Sequence, residues 1–233
     1  MQGPSVNLTQ KYKTLIQDVE TAAKEYGRDS NAVRLVIVSK GQPVEAMSEI
    51  YASGQRSFAE SYVQESLNKM DSLESSDIEW HFIGKVQTNK TRFIAERFDW
   101  VQSLDHFPIA RRLNAQRPPH LNPLNVCICI NIDAEPQKTG IKPGDIFHFA
   151  AKIQRLQYLK LRGLMVIPKP RESFDEQYAV FKRVRALFDE LNAQNFQLDT
   201  LSMGMTQDFR AAIAAGATLL RIGTAVFQTS EQE

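Results

Sequence analysis

The sequence predicts an α/β protein built as one closed (β/α)8 barrel, a TIM barrel, with an extra helix in front. Three observations predict it. Short apolar runs alternate with amphipathic stretches eight times along the chain. Strands separated by helices pair in parallel through right-handed crossovers. Eight such units in 233 residues match the roughly 200 to 250 residues that this architecture takes. An open doubly wound sheet is the competitor, but it carries a Gly-rich phosphate turn after its first strand. Here that strand ends in Ser39-Lys-Gly-Gln-Pro43, so the barrel is favoured.

The front helix, about 8–27, shows in Leu8, Tyr12, Leu15, Ile16, Val19, Ala22 and Tyr26, apolar positions three or four residues apart. Leu35-Val-Ile-Val38 is too apolar to alternate, as expected of a strand covered on both faces. Helix, strand, helix and strand then follow over 43–53, 56–59, 62–70 and 79–83. The same order continues with a helix at 89–98, strand 100–104, helix 108–116, strand 125–132, helix 145–155 and strand 159–167. The next helix carries one stripe of Phe174, Tyr178, Phe181, Val184, Phe188 and Leu191, and Ser173 with Glu176 makes a capping box. Strand 198–202, helix 207–215 and strand 218–222 complete the set. No linker or low-complexity segment divides the chain, so 1–233 reads as a single domain with its barrel over about 33–227. The tail after Phe227 reads as loose.

With 28 Lys+Arg against 27 Asp+Glu the net charge is +1, and 42% of residues are hydrophobic. Near-zero charge removes the electrostatic reason to expect nucleic acid or an anionic membrane. No apolar run approaches the roughly 18 residues of a membrane span, and Met1-Gln-Gly-Pro-Ser has no leader pattern. The expectation is a cytoplasmic protein. Cys127 and Cys129 lie two apart on a strand, hence on one face, and read as packed, reduced thiols. His81, His106, His120 and His148 have no metal-site spacing, so no metal is expected.

In a barrel, chemistry collects at the C-terminal ends of the strands. That places Lys40 after the first strand, Glu60 after the second, His81 within the third, and Asn131 at the end of the fifth with Lys138 in its loop. Met165 lies near the end of the sixth strand, Ser202 closes the seventh, and Arg221, Gly223 and Thr224 close the eighth. A lysine directly after a fully apolar strand is expected to be partly desolvated, which favours a neutral amine able to attack carbonyls. A lysine that snorkels to solvent suits the same position. Leu201-Ser-Met-Gly-Met-Thr206 and Arg221-Ile-Gly-Thr-Ala225 are small, hydroxylic loops where barrels hold phosphate. Ser202, Thr224 and the backbone near Gly204 and Gly223 would be the donors, although Thr206 could equally cap a helix. An amine and a phosphate cradle at one barrel mouth are the two attachment points of pyridoxal 5′-phosphate (PLP).

These segments resemble the pyridoxal phosphate homeostasis protein family, whose members look like a free-standing barrel domain of alanine racemase, the fold type III of PLP proteins. The matching residues are Val38-Ser-Lys40, Glu60-Ser-Tyr-Val-Gln-Glu65, Trp80-His-Phe-Ile-Gly84 with Gln87-Thr-Asn-Lys90, Lys138-Thr-Gly140, Leu161-Arg-Gly-Leu-Met165 with Pro168, Leu201-Ser-Met-Gly-Met205 and Arg221-Ile-Gly-Thr224. The resemblance implies that Lys40 is the Schiff-base lysine, that Ser202, Gly223 and Thr224 hold the phosphate, and that Arg221 faces the pyridine nitrogen. It also implies His81, Met165 and Met203 as walls of the ring pocket and Lys138 as a secondary site. The family pattern differs at Ser61, Gln42, Arg210 and Gln228, the last expected to alter only how the final helix ends.

An arginine only donates, so beside the ring nitrogen it keeps that nitrogen unprotonated and the ring a weak electron sink. A salt bridge from Arg221 to a neighbouring carboxylate is the structural alternative. Racemisation also needs a base on each face of the ring, and no tyrosine-bearing module follows Thr224 in this sequence. The function implied by the resemblance is reversible PLP binding in vitamin B6 and amino-acid homeostasis, with at most weak catalysis and with PLP-dependent apo-enzymes as partners; the lack of a second domain makes a monomer the expectation. A weak PLP-dependent amino-acid racemase is the alternative, and a cofactor-free Schiff-base aldolase is a third class.

Overall fold

Eight parallel strands close on themselves in sequence order, each bonded to the next and the eighth to the first. The computed structural model describes residues 7–73 and 77–228. The expected loose tail therefore lies, apart from Gln228, outside the described residues. The strands are β1 (Arg34–Val38), β2 (Ser57–Glu60), β3 (Glu79–Phe82), β4 (Trp100–Leu104), β5 (Leu124–Ile130), β6 (Leu159–Val166), β7 (Thr200–Ser202) and β8 (Leu219–Ile222). Around them lie α2 (Val44–Ala52), α3 (Val63–Leu73), α4 (Thr91–Arg97), α5 (Phe107–Gln116), α6 (Ile146–Ile153), α7 (Phe174–Ala193), α8 (Phe209–Ala214) and the one-turn α9 (Thr224–Phe227). The front helix α1 (Leu8–Glu25) buries Tyr12, Leu15, Val19, Ala22 and Ala23 and packs on α2, α8 and α9.

Several boundaries differ from the sequence expectation for local reasons. The helices expected from 89 and 145 begin as 3-10 turns, Thr88–Lys90 and Pro143–Asp145, before α4 and α6. Strand 198–202 shrinks to three residues because the Asn192 side chain takes the backbone N–H and carbonyl of Leu198, leaving no ladder there. The Ser173–Glu176 capping box is present. Phe174, however, is exposed, stacked between Tyr26 and Tyr178 rather than packed in the core stripe.

Alternation sorts each strand into a helix-facing and an interior file. Ile37, Phe58, Val101, Ile128, Leu164, Leu201 and Leu220 pack under the helices. The interior is not one apolar plug. Val36, Ala59 and Leu219 form one small cluster, and Trp100, Cys127 and Met165 form another with Cys129 against it. Sharing the interior are the buried polar side chains of His81, Gln102, Ser202 and Arg221. Both thiols face inward as expected, and burial pushes each up to about 12. Among the described residues, no helix is long and apolar enough to cross a membrane.

Candidate functional site

Beyond the C-terminal strand ends lies a cavity of about 550 Å³. Val38 and Lys40 form one side, Ile83 and Ile167 the apolar edge, and Met205 and Thr206 the loop after β7. Arg221, Gly223, Thr224, Phe227 and Gln228, from β8 and α9, complete it with Gln42. Lys40 is there because β1 alternates: Val36 and Val38 point inward, and position 40 continues that file past the strand end. Of the two readings of Lys40, a desolvated amine or a lysine reaching solvent, the exposed one holds: it stands on a turn at the rim, beyond the cover of the strand's neighbours.

What holds that turn is buried. The Lys69 ammonium, 3% exposed, donates to the Ser39 carbonyl at 2.7 Å, to Glu60 Oε1 at 2.8 Å and to Glu65 Oε1 at 2.5 Å. Glu60 Oε1 also accepts the Ser39 hydroxyl at 2.6 Å, and Glu65 Oε1 accepts the Gly41 N–H at 2.6 Å. Peptide groups on both sides of Lys40 are thus tied to one ion cluster. Glu60 is accordingly not a cavity residue: it faces α3 from the outer side of β2, and burial raises its carboxyl despite the bonds from Lys69 and Ser39. Its Oε2 has no partner.

Arg221 is the buried charge at the cavity. It is 3% exposed, donates from Nη1 to Ser202 Oγ at 2.5 Å and from Nη2 to the Val166 carbonyl at 2.9 Å. Burial lowers it to about 10, so it stays protonated at neutral pH. Among the described residues no carboxylate lies within ion-pair distance of it, which removes the structural salt bridge as its explanation. A buried guanidinium without an anion beside an open cavity leaves donors for a ligand.

Gly223 stands against the end of β1: a Cβ there would meet the Val38 carbonyl oxygen at 2.7 Å. Thr224 follows it, and the Thr206 hydroxyl accepts the Ala225 N–H at 3.3 Å, tying the loop after β7 to α9. Thr206 does not cap α8, whose N-cap is Asp208.

Four of the residues expected at the site, Lys40, Arg221, Gly223 and Thr224, come together around this cavity. Others lie elsewhere. Ser202 is fully buried beneath it, its hydroxyl engaged by Arg221 and Gln102. Gly204 turns toward the helix layer, where a Cβ would strike Ala212 and Leu220. Met203 packs in that layer too. His81 and Met165 are barrel-interior residues on either side of Trp100, His81 stacked on its ring at 5.2 Å. Lys138 pairs with Glu135 at 2.7 Å and lines a separate cavity of about 240 Å³. Arg210 pairs with Glu25 of α1, while Ser61 lines a third cavity with Lys85 and Lys90. Gln42 and Gln228, read from the sequence only as departures from a pattern, line the main cavity, so Gln228 does more than end a helix. Ile83 and Ile167 were also missed. Strand alternation carried two residues beyond His81 and Met165 would have found them.

A family model described as "Alanine racemase, N-terminal domain" matches residues 15–231. A pyridoxal phosphate homeostasis protein of Haemophilus influenzae is 48% identical over 226 residues, covering 95% of each chain. One from Escherichia coli K12 is 45% identical over 212 residues, covering 90% of this chain and 91% of that one. PipY of Synechococcus elongatus, solved with PLP bound, superposes with TM-score 0.79 at 36% identity, covering 90% and 99%. An alanine racemase of Clostridium difficile at 12% identity, TM-score 0.71, shares the fold. On these matches, spanning the barrel and the Lys40–Arg221 cavity alike, the chain belongs to the pyridoxal phosphate homeostasis protein family, built on the alanine racemase N-terminal domain.

Proposed function

We propose that this chain binds PLP and holds it through Lys40 as a Schiff base, in PLP and amino-acid homeostasis, without turning over an amino acid. The observation that carries the reading is a lysine amine and a buried, anion-less arginine lining one cavity with a glycine and two threonines. When bound, PLP supplies an aldehyde carbon that condenses with an amine and releases water, a phosphate, and a pyridine nitrogen.

The residues suit these three groups. Lys40 is the cavity's only amine among the described residues. Thr206 and Thr224 supply hydroxyls, and Gly223 lets the end of β8 close against β1 at the cavity wall. Arg221 has donors beyond the two bound by Ser202 and Val166, and because it cannot accept, it suits an unprotonated ring nitrogen. Of the described residues lining the cavity, only Lys40 and Arg221 ionise. A lining without a second base favours holding over racemisation. The relatives' homeostasis names and the PLP in PipY support the same ligand.

The reading extends to a cytoplasmic monomer that passes PLP to PLP-dependent apo-enzymes. Borohydride reduction of the PLP-treated protein followed by peptide mass spectrometry tests the site. A pyridoxyl adduct on Lys40, with a yellow colour lost in Lys40→Ala, is expected; an adduct chiefly on Lys138 or Lys90 overturns the assignment. Turnover of a chiral amino acid would replace holding with racemase activity, the reading that the racemase-like barrel favours next.

A further inference from the structure

A file of side chains crosses the barrel interior from the cavity floor to the opposite mouth. Arg221 Nη1 donates to Ser202 Oγ at 2.5 Å, and the Ser202 hydroxyl donates to Gln102 Oε1 at 2.5 Å. Gln102 Nε2 meets His81 Nδ1 at 2.8 Å, and His81 Nε2 meets Glu79 Oε2 at 3.2 Å. Glu79 is held in turn by Trp100 Nε1 at 2.6 Å, by the Ser57 hydroxyl at 3.1 Å and by an ion pair with Arg34.

The two end charges decide every proton between them. The guanidinium can only donate, so Ser202 accepts from it and points its own hydrogen at Gln102. The Gln102 amide must then turn its oxygen to Ser202 and its nitrogen to His81. That makes His81 Nδ1 an acceptor and leaves the ring proton on Nε2, where the Glu79 carboxylate takes it. Reversing the amide would demand a proton on Nδ1 and set the Nε2 lone pair against Glu79, unless a fully buried imidazole became cationic. All donors therefore run one way, from cation to anion. Such a file cannot relay protons, because its first donor does not release one, but it can hold direction.

We propose that Gln102, His81 and Glu79 are positioning residues that orient the Arg221 guanidinium toward the cavity, so that the carboxylate at one barrel mouth sets ligand contact at the other. The consequence for PLP rests on the function proposed above; the orientation of Arg221 does not.

The test uses the full chain with Gln102→Met, which cuts the file, and Glu79→Gln, which removes its anchoring charge far from the cavity. Without PLP, nitrogen NMR is expected to show His81 protonated on Nε2 alone and Arg221 Nε as rigid as the backbone. In Gln102→Met the Arg221 Nε becomes mobile, and in Glu79→Gln the Nε2-only tautomer gives way to a mixture. With PLP, Gln102→Met should bind up to about tenfold more weakly, the upper end of what one neutral hydrogen bond contributes. Ser202 loses the acceptor that fixes its hydroxyl under Arg221, while the adduct still forms on Lys40. Glu79→Gln should shift the absorption band of the bound chromophore and weaken binding several-fold. Should Gln102→Met fail to fold, Glu79→Gln carries both arms. An Arg221 as rigid in the variants as in the parent, or a parent His81 protonated on Nδ1, overturns the file. If the parent takes up no PLP at Lys40, the PLP reading falls and the cofactor-free NMR still decides the file.

Discussion

Replacing Lys69 by methionine removes the ammonium under the Lys40 turn while keeping a long, unbranched stem of similar fit. Lys69 is 3% exposed, and its three bonds reach the Ser39 carbonyl, Glu60 Oε1 and Glu65 Oε1. Methionine leaves Glu60 fully buried with only the Ser39 hydroxyl, its Oε2 already being without a partner. Stranding one member of a buried ion pair costs about 3–5 kcal/mol. At about 2–4 °C per kcal/mol for a chain of this size, Tm should fall by about 6–20 °C.

The pH dependence separates a stranded charge from mere loss of packing. Burial already raises the Glu60 carboxyl in the parent, against the pull of Lys69 and Ser39. Taking Lys69 away removes the stronger counterweight, so the folded value rises further above the unfolded one of about 4.3. A carboxyl of that kind binds its proton more tightly when folded. Its contribution is present below the unfolded value and lost as pH rises through the folded one. The deficit of Lys69→Met against the parent should thus be smallest in acid and widen toward neutral pH. Urea denaturation followed by circular dichroism across the pH range measures it. The double variant Glu60→Gln, Lys69→Met should recover a large share, since no charge is then stranded. A single variant within about 1 kcal/mol of the parent at every pH, well short of the buried-pair cost, would refute the clamp, as would a double variant no more stable than the single one.

Gly223→Ala should cost about 1–3 kcal/mol by overpacking, since its Cβ would meet the Val38 carbonyl oxygen at 2.7 Å, and it should weaken PLP uptake at the same wall. A thermal melt and a PLP titration matching the parent would show that the strand end is not so close. His81 is held below its ordinary value by burial, opposed by the bond to Glu79. A lowered folded value means that His81 lends stability above the unfolded value of about 6.5 and loses it as pH falls toward the folded one. Ring-carbon NMR shifts of His81 are expected to titrate below the ordinary histidine range; an ordinary midpoint would contradict its enclosure.

The barrel was legible because its signals are local and repeated. Apolar runs such as Leu35-Val-Ile-Val38 and Val126-Cys-Ile-Cys-Ile130 are covered on both faces, and the stretches between them have helical period. Trp100–Leu104 was read to the residue. Boundaries slipped where a side chain outside the segment competes for its backbone, as Asn192 does at Leu198. Nothing in a single run announces a partner six residues upstream.

Residue type alone points to the cavity lining at Lys40, Arg221, Gly223 and Thr224, and does not separate lining from buried residues where depth along a strand matters more. Ser202 and Thr206 are both hydroxyls in one loop sequence, so chemistry alone does not rank them. Ser202 ends β7 and points into the barrel, where Arg221 and Gln102 engage it; Thr206 lies past the turn, at the cavity. His81 and Met165 fail as walls for the same reason, while Ile83 and Ile167, two residues on and of the same parity, succeed. The sequence leaves a desolvated and a solvent-reaching Lys40 both open because an apolar strand reports cover over itself and none over the residue beyond its end. Parity from the strand and distance past it together separate Ile83 and Ile167 from His81 and Met165, and Thr206 from Ser202. Past the strand ends the turns decide, since Gly204 has the parity of Ser202 yet turns to the helix layer, and Thr224 lines the cavity out of step with Arg221.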